Sequence, residues 1–347
     1  MTIDAEQLRT WTTALLQTWG YEPEDAEYLS DTLVDANLRG VDSHGVIRLP
    51  AYRARIDAGL VDPAARPSVD RNGAVVRIDA GGTAGQLAAR AAVDELTQLS
   101  GEFGVAAATV RGSTHFGTAG YYARALAGRG KVAVVVSNSE PNVVPFGGKS
   151  AFLGTNPLAF AAPTGGEPLS LDMATSTTAM GKVLVARAKG QPVPPDWGVD
   201  ADGAPTTDAA AVVSLLPAGG PKGYGLAFLI EVLAGVLSGA AVAGDIGNMY
   251  TDFSKRQDVG HWLLAMDVAH FLPLPLFRDR IDALIDSAHG AEPAPGFDRV
   301  LVPGEPERLT AQAREAAGID LPAATVESLI ELGVAGGVPY PGTEASS

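Results

Sequence analysis

The sequence has no cysteine. That absence excludes a disulfide framework, thiolate metal sites, iron–sulfur clusters and a cysteine nucleophile, so any redox chemistry needs a dissociable cofactor. Basic residues are scarce as well: 25 lysines and arginines stand against 40 aspartates and glutamates, a net charge of −15. Such a field repels a phosphate backbone and an anionic bilayer, so neither nucleic acid nor membrane is expected as a partner. Aromatic residues are only 6% of the chain and charged residues 19%, yet hydrophobic residues reach 46%, far from the composition of disordered chains. The 347 residues suffice for roughly two domains. A clean membrane span is missing too: the most apolar stretch, 225–244 (GLAFLIEVLAGVLSGAAVAG), holds Glu231 and many small residues, and is expected to be a buried helix. Asp4 and Glu6 stand where a secretory leader would be basic, so a cytoplasmic protein is expected.

Common catalytic signatures are absent. No G-x-G-x-x-G joins a strand to a helix, and GGTAG at 81–85 has the wrong spacing. The string Gly148-Lys149-Ser150 could close a phosphate loop, but the first glycine of that motif would fall on Val143. There is no G-x-S-x-G, no H-E-x-x-H, and the histidines at 44, 115, 261, 270 and 289 do not fall at metal-ligand spacing.

What is present is an α/β rhythm. Helical spacing covers 4–19 and 23–39, GAVVRID (73–79) reads as a strand, and glycines 81, 82 and 85 form a tight turn into a helix over 86–99. Apolar strands follow at 104–110 and 131–138, flanking a helix over 119–128. Segments 156–163 and 167–174, joined by Thr164-Gly165-Gly166, suit a hairpin, which makes the sheet mixed. Residues 190–206 form an ordered loop, and helices are expected over 207–216, 225–241, 276–288, 306–317 and 324–333, with a strand at 261–267. The tail GTEASS is expected to fray.

Five constellations could carry chemistry. In Asp42-Ser43-His44-Gly45-Val46-Ile47-Arg48-Leu49-Pro50-Ala51-Tyr52, helical spacing would set His44, Arg48 and Tyr52 on one face, where a guanidinium fork and an imidazole could grip a hydroxy acid. Pro50 places a bend before a helix over 50–58, and the plainer reading is a capping Ser43 with a surface arginine. His115, in Gly112-Ser113-Thr114-His115-Phe116-Gly117, leaves a buried strand where α/β sheets bind ligands, or merely caps the next helix. Ser139 opens a proline-braced loop whose small polar groups could cradle phosphate or ribose, and Asp172-Met173-Ala174 ends a strand before free amides. Lys222, set among glycines at a helix start, would favour an anion there unless it is simply solvated.

Taken together, DSHGVIRLPAY (42–52), VVPFGGKSAFLGTNPLAFAAP (143–163), LDMATS (171–176), PTTD (205–208) and LLPAGGPKGYGLAFLIEVLAG (215–235) resemble the type 2 malate/L-lactate dehydrogenase family, in order, from about residue 5 to 335. The strings SEPNVVPFGG, AGGPKGYG and PAPGFDRVLVPGEPE look most like its ureidoglycolate dehydrogenase branch. The resemblance implies an NAD- or NADP-dependent homodimeric oxidoreductase moving a hydride between nicotinamide and a small 2-hydroxy or 2-keto acid of the ureidoglycolate, malate, lactate or sulfolactate type. It implies a non-Rossmann α/β fold with a mixed sheet, an NAD(P)-binding domain over 116–290, and a discontinuous, largely helical substrate and dimerisation domain formed by 1–115 with 291–347. By position, His115 matches the proton-exchanging histidine, His44 with Ser43 its partner, and Arg48 and Tyr52 the residues that orient the substrate carboxylate. Ser139, Asp172, Met173, Ala174, Lys222, Gly304, Glu305 and Pro306 match cofactor contacts. That branch would carry aspartate where Glu140 stands and a substrate-side arginine near 257, where this chain has Gln257; the neighbouring Arg256 would point elsewhere in any regular backbone. The alternatives are a cofactor-free binding protein for small carboxylates, or an imine reductase of the same family acting on cyclic imino acids.

Overall fold

The computed structural model describes residues 2–342. Residues 343–347 of the tail expected to fray lie outside the described residues. The chain opens with β1 (Thr2–Ile3), α1 (Ala5–Thr18) and α2 (Pro23–Leu38). Asp4 caps α1 by accepting the amides of Glu6 and Gln7, and Pro23 opens α2 where a missing N–H costs nothing. Two 3₁₀ turns, Asp42–His44 and Val46–Arg48, then lead into α3 (Leu49–Asp57), so Pro50 sits in a first turn after a bend, as its chemistry requires.

The central element is a seven-stranded mixed sheet. Its strands are β2 (Ser68–Asn72), β3 (Val75–Asp79), β4 (Val105–Ser113), β5 (Lys131–Ser137), β6 (Leu158–Ala162), β7 (Leu169–Met173) and β10 (Val259–Asp267), in the order β2-β3-β4-β10-β5-β6-β7. Only β3 and β4 run parallel; β6 and β7 form the expected antiparallel hairpin, with Phe160 opposite Leu171. On one face lie α4 (Gly85–Phe103) and α5 (Ala119–Gly128). Alanines line both sides of that contact: Ala106, Ala108, Ala133, Ala159, Ala161 and Ala265 from the sheet, Ala88, Ala89, Ala92, Ala123 and Ala127 from the helices. Small side chains bring the layers close, which is how a chain poor in aromatics fills its core.

The remaining elements are α6 (Met180–Ala188), β8 (Gly198–Val199), β9 (Ser214–Leu215), α7 (Pro221–Glu231), α8 (Leu274–His289), α9 (Glu305–Ala317), β11 (Ile319–Asp320) and α10 (Ala323–Gly336). A second core joins the two ends of the chain: Leu8, Trp11, Leu15, Leu29 and Leu33 pack with Ile319, Leu321, Leu329 and Tyr340, while β1 pairs with β11.

Two expectations about elements fail. Residues 207–216 form turns and β9 rather than a helix. Asp208 accepts the Ala210 amide, Thr206 accepts the Asp208 amide, and Val212 and Leu215 are buried against Val143, Val183 and Val193. Local side-chain bonds and β-branched packing thus outweigh helical spacing. The apolar stretch after Gly225 is helical, α7 continuing into a π-turn at Val232–Val236, but only one face of it is buried: Ile230 and Ala234 pack with Val136, whereas Leu226, Phe228, Leu229, Val236 and Leu237 are exposed. Among the described residues no helix is long and apolar enough to cross a membrane.

Candidate active site

Close approach of backbones builds the site. The start of α4 abuts the loop after β4: the Gly85 amide donates to Thr114 Oγ1 at 2.9 Å, and a Cβ on Gly85 would lie 2.4 Å from the Thr114 carbonyl oxygen. Only glycine permits this contact, and it fixes the loop that carries His115 against α4. From the other side comes α3 with the turns before it.

These elements bring the histidines together. The rings of His44 and His115 stack with centroids 5.2 Å apart at 29°. Tyr52 Oη lies 2.7 Å from His115 Nδ1 and accepts from Gln86 Nε2 at 3.0 Å, while Ser43 Oγ lies 2.9 Å from His44 Nδ1. His115 Nε2 is buried without a hydrogen-bond partner, as is Arg48 Nε. The Arg48 guanidinium stands 5.4 Å from the centre of the Tyr250 ring. Arg48 Nε and His115 Nε2, both buried and without partners, are groups that a ligand completes.

The electrostatics follow from burial beside one cation. Desolvation, then the Arg48 charge, pushes His44 down to about 3; the same two causes, in the same order, hold His115 well below the usual imidazole value. Both rings are therefore neutral at physiological pH. Burial pushes the Tyr52 phenol up to about 12, so it stays a neutral hydroxyl. The Gly117 amide also points at His115 Nδ1, at 3.4 Å. With its proton on Nε2 the neutral ring lets both groups donate to Nδ1; with its proton on Nδ1 it donates to Tyr52 Oη instead and leaves Nε2 as an unprotonated base at the open position.

A cleft of about 930 Å³, its open mouth included, runs past Ser43 and His44 toward Asp172, Met173, Ala174 and Gly304. Asp172 accepts the Gly120 amide at 2.7 Å, and desolvation pushes its carboxyl up to about 6 against that bond and the Arg124 charge. Gly304 takes φ 81°, and a Cβ there would lie 2.3 Å from the Ser170 carbonyl oxygen. Pro306 sits in the first turn of α9. Glu305 turns away from this cleft, pairing with His289 at 2.8 Å and Arg308 at 3.2 Å. Ser139 Oγ is buried without a partner beside Gly154, and Lys222 is exposed on the first turn of α7.

Sequence reasoning missed three residues, Gln86, Tyr250 and Arg55, and met Gln257 only as a departure from the family pattern. Gln86 fixes the Tyr52 hydroxyl, Tyr250 lies by Arg48, and buried Gln257 accepts the His115 amide at 3.4 Å. Arg55 continues the spacing of Arg48 and Tyr52 along α3, a signal available in the sequence. Arg256 does not substitute for an arginine at 257: its guanidinium lies over Gly82.

Residues 3–330 match the family model for malate/L-lactate dehydrogenase. A ureidoglycolate dehydrogenase (NAD(+)) of Escherichia coli O157:H7 is 37% identical over 304 residues, covering 87% of each chain. The malate dehydrogenase of Entamoeba histolytica superposes with a TM-score of 0.93 at 29% identity, over 98% of this chain and 99% of that one. A delta1-piperideine-2-carboxylate reductase of Pseudomonas syringae superposes with a TM-score of 0.85 at 34% identity, over 96% and 99%. The non-Rossmann mixed sheet, the paired histidines and a match over nearly the whole length agree: the chain belongs to the malate/L-lactate dehydrogenase family.

Proposed function

We propose that the chain is an NAD(P)-dependent oxidoreductase that interconverts a small 2-hydroxy acid and its 2-keto acid. The observation that carries this reading is an Arg48 guanidinium with an unpartnered Nε next to two stacked neutral imidazoles.

The cleft suits a dinucleotide. The buried, unpartnered Thr118 hydroxyl lies along it at the start of α5. Asp172, Met173, Ala174 and Gly304 would hold the cofactor there, and Ser139, Lys222, Glu305 and Pro306 belong to the same assignment from the family pattern. When bound, nicotinamide supplies the hydride acceptor or donor.

The chain's own groups do the rest. Arg48 grips the substrate carboxylate with its fork and so fixes the reacting carbon. In oxidation the neutral His115 ring, its one proton on Nδ1 and donated to Tyr52 Oη, takes the hydroxyl proton on Nε2 and becomes imidazolium, and the Gln86 amide holds the phenol in place. In reduction that imidazolium returns the Nε2 proton to the keto oxygen. His44, oriented by Ser43, covers the other face of the His115 ring.

Residues 1–115 with 291–347 then serve substrate and dimer, and 116–290 the cofactor, in a cytoplasmic homodimer. The exposed apolar face of α7 supports the dimer, since soluble monomers rarely show so contiguous an apolar patch. Cyclic imino acids are a second substrate class because one solved relative is a piperideine-carboxylate reductase, and an imine nitrogen can take a proton from the same donor.

The test is fluorescence titration with NADH and NADPH, then turnover of malate, lactate, sulfolactate, ureidoglycolate and a cyclic imino acid with each coenzyme. Binding of neither coenzyme would end the enzyme reading and leave a carboxylate-binding protein.

A further inference from the structure

Arg55 is 1% exposed, and its guanidinium is spent on main-chain carbonyls of a single loop. Nη1 donates to Asn248 at 3.2 Å, Met249 at 3.4 Å and Asp252 at 3.1 Å, and Nη2 to Lys255 at 2.9 Å. The Phe253 ring centre lies 5.8 Å from it. Burial pushes this guanidinium below its usual value, with the charges of Asp252 and Glu140 opposing. Between the 3₁₀ turn at Ala243–Asp245 and β10, this loop has no regular element to fix it. Its own ties are local: the Gly247 amide donates to the Gln257 carbonyl at 3.0 Å, Lys255 Nζ to the Asp245 carbonyl at 2.8 Å, Asn248 Oδ1 accepts the Tyr250 and Thr251 amides, and Asp252 Oδ1 accepts the Ser254 amide and hydroxyl. These bonds close single turns, and it is a side chain from α3 that gathers the turns at 248–255 onto one group.

Two residues of the same loop reach the site. Tyr250 lies by the Arg48 guanidinium, and Gln257 accepts the His115 amide. Arg48, Tyr52 and Arg55 follow at i, i+4 and i+7, so one helical face carries the substrate clamp, the phenol and the loop anchor.

We propose that Arg55 is a positioning residue: by gathering the carbonyls of 248–255 it sets where Tyr250 meets Arg48 and where Gln257 meets the His115 loop, and thereby sets affinity for the acid. The inference rests on the substrate site proposed above. A lysine at this position keeps the charge but offers one nitrogen, which cannot span four carbonyls.

The experiment uses the full-length Arg55→Lys, Tyr250→Leu and double variants, with Arg55→Met as a harsher companion. In Arg55→Lys, hydrogen exchange of the 248–257 amides should rise about tenfold, KM for the acid should rise about tenfold with kcat within about threefold, and NADH affinity should hold within about twofold. Tyr250→Leu should raise KM alone, but add little once Arg55 is lysine, because both act through the same contact. Faster exchange with unchanged KM would overturn the proposal, as would a parallel loss of NADH affinity or full additivity of the two substitutions. If the wild-type chain turns over no acid, the catalytic reading fails separately; the same cycle is then read as oxalate affinity by calorimetry, and unchanged oxalate binding in Arg55→Lys overturns the positioning role.

Discussion

Replacing Tyr52 with phenylalanine removes one oxygen and leaves the ring. That oxygen lies 2.7 Å from His115 Nδ1 and 3.0 Å from Gln86 Nε2. In the resting site the first contact joins neutral partners and is worth about 1 kcal/mol, whereas a ring gaining a proton makes a charge-assisted bond of about 1.5–3 kcal/mol. The difference, about 0.5–2 kcal/mol, exists only as His115 takes its proton, so kcat should fall roughly 2- to 30-fold. KM should move little, because the Arg48 clamp is untouched. The Gln86 amide loses an acceptor, which should cost about 1–3 kcal/mol of folding stability. The assay pairs steady-state rates in both directions with urea unfolding of the same protein. A stability loss at the wild-type kcat would refute the reasoning, since it would make Tyr52 a packing residue with no part in holding the proton.

Arg48→Ala should raise KM for the acid by about 2–4 kcal/mol of lost transition-state binding, with NADH affinity intact; a KM within twofold of wild type would make Arg48 a surface residue. His115→Ala should abolish turnover and leave NADH titrations unchanged, and substantial residual rate would remove His115 from proton exchange. For Asp172 the folded pKa of about 6 lies above the ordinary 3.8, so its carboxyl favours folding at low pH and loses that contribution as pH rises from 3.8 through about 6. Asp172→Asn should therefore gain thermal stability over wild type above that window and match it below. Thermal melts giving the reverse order would sink the assignment.

Much of the fold was legible because local chemistry and final structure agree. Pro50 forces a bend and a new helix, Thr164-Gly165-Gly166 forces a hairpin, and glycines 81, 82 and 85 end β3 tightly enough for α4 to start against the His115 loop. Segment 207–216 misled because Thr206, a fitting helix cap by type, and Asp208 close short turns on the backbone instead of starting a helix. The stretch after Gly225 misled because hydropathy records an apolar face without saying what covers it. In the site, His44, Arg48 and Tyr52 share a short segment and could be read together. Gln86, Tyr250 and Gln257 could not, since they arrive from α4 and from a loop nearly 200 residues away in sequence, with no motif of their own.

One cation accounts for most of the site's chemistry. The chain as a whole repels anions, with a net charge of −15, so attraction must be local. On the proposed assignment Arg48 provides it, and its charge, second to desolvation, helps keep His44 and His115 neutral. A substrate carboxylate placed on Arg48 would cancel that repulsion, and His115 would then hold a proton more easily. The group proposed to bind the acid would thus also be the group that withholds the proton until the acid arrives. Surface ion pairs elsewhere, such as Arg77 with Asp70 or Arg71 with Glu95, could not act this way, because their charges are already answered by protein. An arginine left open beside two buried imidazoles ties proton readiness to substrate occupancy, and it does so with no moving part.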